Sequence, residues 1–442
     1  MLGLSVIAVP TAVAVAATPD AQAPQSIGKA PAVPKTAVPA AAPAAGQALS
    51  LDVELAPRDP AALNAFVAAV STPGSARYHH YLAKGQFAST FGPTQAAIDA
   101  VTAALRADGL TPGAVSPDGL TIPVTTTVGQ AGSALHTGFA GYRLNGRTVY
   151  ANTAAPQLSA AAAAAVTGIV GLDNLVQTVS HAVPSGHSIP APSSLKANAV
   201  RPNSATPAVC SYVKQGLAGL KPPLIDTQNY WEPGSLSASS AYNTGQLYGK
   251  YGDTGSGVSV GLFELENYAP ADVAAYQQCM GTNVPVTAIK VDGGPTAQVD
   301  PNTGVGIESA LDIETVAGLA PGASIKVYQG PDANTAADSQ VLDTYERMVT
   351  DDSVQVISTS WGSCEADLHA SDPGFQTAES NIFAAAATQG QTVLAASGDS
   401  GSTGCFQNPS SPNSTALSVD DPASQPFVVS VGGTNMTLPS GA

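Results

Sequence analysis

Apolar positions fall into two regimes along the chain. In the first, Leu51, Val53 and Leu55 alternate, which predicts a strand. Pro60 to Val70 predicts a helix, with Asp59 as N-cap and Pro60 in the first helical position. Ile98, Val101 and Leu105 place a second helix over Thr94 to Asp108, stopped by Gly109. Leu120 to Val124 reads as a strand and Val128 to Leu135 as a short helix. Two hairpin strands flank Asn145-Gly146, a type I′ turn signal. The order β-α-β-β-α-β predicts a split-βαβ, ferredoxin-like α+β domain over 47–178.

The second regime begins near Cys210. Apolar runs at Gly257 to Leu265, Ser324 to Tyr328, Val354 to Ser360, Thr392 to Ala396 and Phe427 to Val431 predict strands. Helical patterns stand between them at Pro270 to Met280, Gly306 to Leu319, Ala336 to Val349 and Phe375 to Thr388. Continuous apolar strands alternating with helices predict an α/β domain, a parallel sheet with helices on both faces, over 209–442. Two stretches carry no apolar period. Residues 24–46 are Ala/Pro-rich, the pattern of a semi-extended linker. Residues 179–208 hold five prolines among Ser, Gly and Asn, and predict an exposed, protease-sensitive linker.

Charge sharpens this picture. Lys+Arg is 16 against Asp+Glu 32, a net charge of −16, which argues against nucleic acid or an anionic membrane as partner. Charged residues are 11% of the chain, against ~25% in average globular proteins. A surface with few ion pairs loses little when carboxylates protonate, so the composition suits acid. Leu2 to Ala17 is almost wholly apolar, and Ala21-Gln22-Ala23 is a small-x-small cleavage pattern. Residues 1–23 therefore read as an export signal, although the first basic residue is Lys29; an Ala-rich leader is the alternative. Four cysteines suit two bridges: Cys364 with Cys405 and Cys210 with Cys279 is one arrangement, and the count permits three.

Three segments carry candidate chemistry. In Gly306-Ile-Glu308-Ser-Ala-Leu-Asp312 the carboxylates are four apart on one helical face, at the head of an apolar stripe. Such a pair is less costly if it shares a proton, which makes it an acid/base unit. Two ordinary surface carboxylates would give the same spacing. Asp399, in Ser397-Gly-Asp-Ser-Gly, follows a strand at the sheet edge where α/β ligands bind, although turns also favour Asp. Trp361, in Ser360-Trp-Gly, ends another strand at the same edge. Five of six histidines precede the second domain, and nothing around His369 points to a Ser-His-Asp triad.

These motifs resemble those of the sedolisin family of secreted serine-carboxyl peptidases. The first domain matches the family's activation pro-domain at Thr72-Pro-Gly-Ser-Ala-Arg-Tyr78, Phe91-Gly-Pro, Asp118-Gly-Leu-Thr-Ile-Pro, Asn145 to Asn152 and Val170-Gly-Leu-Asp173. The second matches the first part of the subtilisin-like catalytic domain. The resemblance implies that Glu308 is the catalytic base and Asp312 its partner, with Asp399 in the oxyanion hole. Glu264 and Trp361 would extend the hydrogen-bond chain behind Glu308, with Glu266 close by. It also implies peptide or protein substrates, the pro-domain as intramolecular inhibitor, a monomer, and one structural calcium ion.

One motif departs from the family. Its nucleophile stands in Gly-Thr-Ser; here Gly281-Thr-Asn283 and Gly433-Thr-Asn435 occur, but no Gly-Thr-Ser. The reading is a chain truncated before the nucleophile and the calcium loop, inactive as it stands. A carboxylate base titrating near ~4 works where histidine would be protonated, so the implied enzyme is a secreted endopeptidase acting in acid. Acid is then expected to loosen the pro-domain by protonating interface carboxylates, with cleavage in 179–208. A glycosidase is disfavoured, because two carboxylates one turn apart on one helix straddle a sugar poorly. A non-catalytic secreted or wall-associated binding protein is the remaining alternative.

Overall fold

The computed structural model of the chain describes residues 24–180, 242–300, 303–407, 411 and 413–434. The expected export signal and most of the second linker, with Cys210, lie outside the described residues.

The first domain is built on β3 (Ala48–Leu55), flanked antiparallel by β4 (Thr121–Thr127) and β8 (Val166–Val170). Leu51, Val53 and Leu55 face a core completed by Val101 and Leu105 of the helix Gln95–Ala107, with Ile122 and Leu158. Helix α1 (Pro60–Ser71) starts where expected: Asp59 accepts the Ala62 N–H at 2.9 Å, and Pro60 occupies the first turn. The hairpin β5 (Phe139–Leu144) and β6 (Arg147–Asn152) turns at Asn145-Gly146, both at positive φ.

Two expectations need correction. The hairpin does not join β3 in one four-stranded sheet. Its free edge pairs instead with β2 (Val38–Ala40), and β1 (Pro24–Ser26) pairs with β7 (Gln157–Ser159). Residues 24–46 are therefore not a free linker. Short extended pieces with backbone groups to satisfy have found open strand edges.

In the second domain, β11 (Val286–Lys290), β12 (Ser324–Gln329), β10 (Ser259–Glu264), β13 (Val356–Thr359), β15 (Thr392–Ala396) and β17 (Val428–Val431) lie in that spatial order, all parallel. We number the later helices α6 (Pro270–Met280), α7 (Ile307–Leu319), α8 (Asp338–Asp351), α9 (Glu365–Ser371) and α10 (Pro373–Gln389), after α2 (Phe87–Thr90), α3 (Gln95–Ala107), α4 (Val128–Ala134) and α5 (Ala160–Ala163). Adjacent strand residues serve opposite faces. Leu262 packs with Val273 of α6 and Ile313 of α7, whereas Phe263 stacks on Tyr345 of α8 at 3.9 Å between centroids. Both faces are covered, which is why these strands read as unbroken apolar runs.

The first domain packs against the α8/α10 face. Leu63 and Val67 of α1, with Phe87, Leu120 and Val170, share one apolar cluster with Leu342, Phe375 and Ile382 of the second domain. Gly168 of β8 approaches Gly374 of α10 so closely that a Cβ on Gly168 would stand 2.8 Å from the Gly374 Cα. The second linker begins as a strand, not a free tail. Its first residues form β9 (Val179–Ser180), which pairs antiparallel with β14 (Trp361–Cys364), itself paired with β16 (Asp420–Asp421).

Candidate active site

Parallel strands bring their carboxyl ends to one edge. Glu264 ends β10, Ser360 and Trp361 follow β13, and Asp399 lies just beyond β15. Helix α7 starts at that edge. Its N-cap is Gly306, at φ 92°, where a Cβ would lie 2.8 Å from Val299 Cγ1 and 3.0 Å from the Asn267 carbonyl. Only glycine fits that turn.

With no capping side chain of its own, α7 is capped by Glu266. The Glu266 Oε1 accepts the Ser309 N–H at 3.0 Å, and its carboxylate also accepts backbone N–H groups from Gly306 and Glu308. Burial raises the Glu266 pKa and these donors oppose the rise. Gln329 in turn donates its amide to the Glu266 carbonyl at 3.0 Å.

Glu264 is fully buried. Its Oε2 accepts the Trp361 indole N–H at 3.0 Å and the Ser309 hydroxyl at 2.9 Å. The Asp312 and Glu264 carboxyls act on each other, and two neighbouring carboxyls in a buried site disfavour the doubly ionised state. Asp312 also receives the Ser360 hydroxyl on both oxygens, at 2.9 and 3.0 Å. Burial, then the Asp312 charge, pushes Glu264 well above the usual carboxylate range. Burial lifts Asp312 to about 6, against the opposing hydrogen bonds from Ser360 and Glu264. Glu308 is buried one turn before Asp312 on the same face, and its charge also acts on Glu264.

The structure thus brings Glu264, Glu308, Asp312 and Trp361 together. The two neighbouring glutamates differ in what they hold. Glu266 accepts backbone N–H groups, whereas Glu264 belongs to the carboxyl chain. Asp399 lies at the same edge with its side chain exposed. His369 is elsewhere, its ring bonded to Gln376 at 3.1 Å. Sequence reasoning passed over Ser309 and Ser360 as donors. The signal available was that each is a small hydroxyl adjacent to a singled-out residue, Glu308 or Trp361.

The start of the second linker reaches this site. Val179 and Ser180 pair with Gly362 and Trp361, and the Ser363 hydroxyl donates to the Gln177 carbonyl at 3.1 Å. Beside this strand is a groove of about 290 Å³, walled by Glu266, Ile307, Asp332, Asn334 and Trp361.

Cys364 and Cys405 form a disulfide, and Cys279 is disulfide-bonded as well. Among the described residues one trio, Cys364, Asp367 and Cys405, gathers potential metal ligands within 4.8 Å. Two of its members are spent in the bridge and calcium prefers oxygen, so the trio does not fit that ion.

Residues 36–175 match the pro-kumamolisin activation domain, and residues 293–439 match the subtilase family. The chain is 32% identical to sedolisin of Pseudomonas sp. (strain 101) over 410 residues, 92% of this chain and 63% of that protein. It is 30% identical to xanthomonalisin of Xanthomonas sp. (strain T-22), over 88% of this chain and 46% of that protein. Kumamolisin of Bacillus sp. (strain MN-32) is 36% identical over 191 residues, covering 42% of this chain and 32% of that protein. Among solved structures, Pseudomonas sedolisin, described as a serine-carboxyl proteinase, matches with TM-score 0.36 and 30% identity over 41% of this chain and 50% of that one. The chain spans less than two thirds of the length of the first two relatives. The chain thus carries an activation domain of the pro-kumamolisin type followed by a subtilase-type domain, and over most of its length it is similar to sedolisin and xanthomonalisin.

Proposed function

We propose that the chain belongs to the zymogen of a secreted serine-carboxyl endopeptidase that acts in acid on protein or peptide substrates. The observation that carries this reading is the carboxyl cluster at the head of α7: buried Glu308 beside Asp312 and buried Glu264, with Glu264 held by Trp361 and Ser309 and Asp312 by Ser360.

A serine hydroxyl that attacks a scissile carbonyl must lose its proton. Glu308 takes it, and Asp312, joined to Glu264, shares the positive increment through the carboxyl chain. Trp361 and Ser309 fix Glu264, and so fix the geometry of the pair. Asp399 supplies a donor to the developing oxyanion. The antiparallel strand at Trp361 and Gly362 is where substrate backbone would bind, and β9, the start of the linker that follows the pro-domain, occupies it. That contact supports intramolecular inhibition.

With no Gly-Thr-Ser in the sequence, residues 24–442 alone are proposed to be inactive on casein. The test is casein hydrolysis between about pH 3 and 6 by the product of the complete gene, where Glu308→Gln is expected to lower kcat ~10²–10⁴-fold. A kcat within about twofold of wild type would remove Glu308 from the mechanism. A complete gene without turnover and without a serine motif would favour a binding protein.

A further inference from the structure

We propose that the seam between the two domains is a proton-held latch: carboxyls of the pro-domain face carboxyls of the second domain, so that docking is tightest in acid and weakens as pH rises. The inference rests on the interface alone and not on the catalytic reading.

The arrangement begins with the alternation of β3. Leu51, Val53 and Leu55 face the pro-domain core, which turns Asp52 and Glu54 to the other side. That side is not solvent. It lies against α8, and both carboxyls are 2% exposed. Asp118 joins them from the turn before β4, accepting the Ser116 hydroxyl at 2.6 Å and the Leu120 N–H at 2.9 Å. Glu54 accepts the Thr121 hydroxyl at 3.3 Å. Facing them are Asp343 and Glu346 on α8 and Asp292 after β11.

Carboxyl meets carboxyl in two places. Across the seam the Asp118 and Glu346 carboxyls act on each other, and on the second-domain side Asp343 and Asp292 do so. Neighbouring buried carboxyls disfavour joint ionisation. As carboxylates, Asp52, Glu54, Asp118 and Glu346 would each bury one oxygen without a donor. Arg347 lines the adjoining cavity of about 450 Å³ and is engaged by Asp351 at 2.8 Å. Further along the seam, Asp173 faces Asp338 and Asp372. There the cations are Arg147, bonded to the Asn174 carbonyl at 2.9 Å, and Lys29, at the rim of a cavity shared with Asp173 and Asp372.

Burial first, and neighbouring carboxyls second, raise these groups: Asp52 and Asp173 to about 7, Asp343 to about 9, Glu54, Glu346 and Asp338 well above the usual range. Undocked, in water, they would titrate near ~4. Docking therefore takes up protons. Affinity is fully present below about pH 4 and is lost as pH rises through the docked values, about tenfold per pH unit for each proton taken up. This reverses the expectation that acid loosens the pro-domain. Acid breaks carboxylate–cation pairs, whereas the ionisable groups that face one another beside this seam's apolar cluster are mostly carboxyls. Release in acid must then come from cutting the chain.

The experiment nicks the full chain in the 181–208 segment and measures retention of the pro-fragment by size exclusion and titration. The dissociation constant is expected to rise at least about a hundredfold from about pH 5 to about pH 7. In Glu54→Gln/Asp118→Asn/Glu346→Gln, neutral at every pH, that rise is expected to shrink by about tenfold or more. Should the triple variant not fold, Glu54→Gln alone serves, with the infrared carbonyl band of protonated carboxyls in the nicked wild type at neutral pH as second readout. Affinity that is flat or increases with pH, equal slopes in wild type and variant, or no protonated-carboxyl band would overturn the latch. So would a slope abolished by added calcium, which would make the seam a cation site.

Discussion

The indole N–H of Trp361 reaches across from the end of β13 to Glu264 at the end of β10, 3.0 Å from Oε2. Both partners are buried, so this bond has no substitute in water. It holds the carboxyl that Asp312 leans on.

Trp361→Phe keeps the aromatic bulk and removes the donor. Glu264 is then held by Ser309 alone on that oxygen, and its proton affinity rises further. The expected cost is about 1–3 kcal/mol, the range for orphaning a buried acceptor, read by urea denaturation. A loss below about 0.5 kcal/mol would mean that the indole bond does not support the site.

Asp312→Asn probes the coupling between Asp312 and Glu264. The Asp312 pKa is raised to about 6 by burial, so its contribution to stability is present below about 4 and is lost as pH rises through about 6. Asparagine can donate to Glu264 without a titrating proton. The variant is therefore expected to be more stable than wild type at neutral pH, by about 0.5–1.5 kcal/mol, and equal to it in acid. Equal differences at both pH values would count against that coupling. If the proposed mechanism holds, the same substitution lowers turnover, so stability and activity move in opposite directions.

Much of this was legible in the sequence. The limits of α6 at Pro270 and Met280 and of β15 at Thr392 and Ala396 follow from local pattern, because proline starts, glycine stops and apolar runs are local signals. The i, i+4 spacing of Glu308 and Asp312 placed them on one face. Strands β9, β14 and β16 were not readable: two to four residues long, they exist because distant chain segments meet. The same holds for β1 and β2 in the proline-rich segment. Asp52 and Glu54 are the sharpest case. Their alternation with Leu51 and Val53 marks a polar outer face, and only docking on α8 turns that face inward. No local pattern distinguishes a solvated carboxylate from one that another domain will cover.

Glu266→Ala should unseat the start of α7. The helix has a glycine N-cap with no side chain, so Glu266 is its capping acceptor. The expected loss is about 0.5–2 kcal/mol, with faster amide exchange confined to Glu308, Ser309 and their neighbours. Glu266→Gln keeps one acceptor oxygen and is expected to recover part of both effects. Uniform loss of protection across the second domain would point to a role in the core rather than in the cap.

Asp399 can be tested without turnover. Its charge, after burial, is the main influence raising Asp420 to about 6, and Asp420 crowds the turn so closely that a Cβ on Gly398 would overlap its Oδ2. Asp399→Asn removes that charge, so Asp420 is expected to titrate at lower pH, and the stability lost as pH rises through its pKa shrinks. A carbon-detected NMR titration of Asp420 reads this directly, and an unchanged midpoint would sever the two residues. In the complete enzyme, Asp399→Ala is expected to lower kcat by ~10²–10³ if the carboxyl donates to the oxyanion. The asparagine amide can still donate, so Asp399→Asn should keep more activity than Asp399→Ala. A kcat for Asp399→Ala within about twofold of wild type would leave Asp399 as a turn residue whose charge merely burdens Asp420.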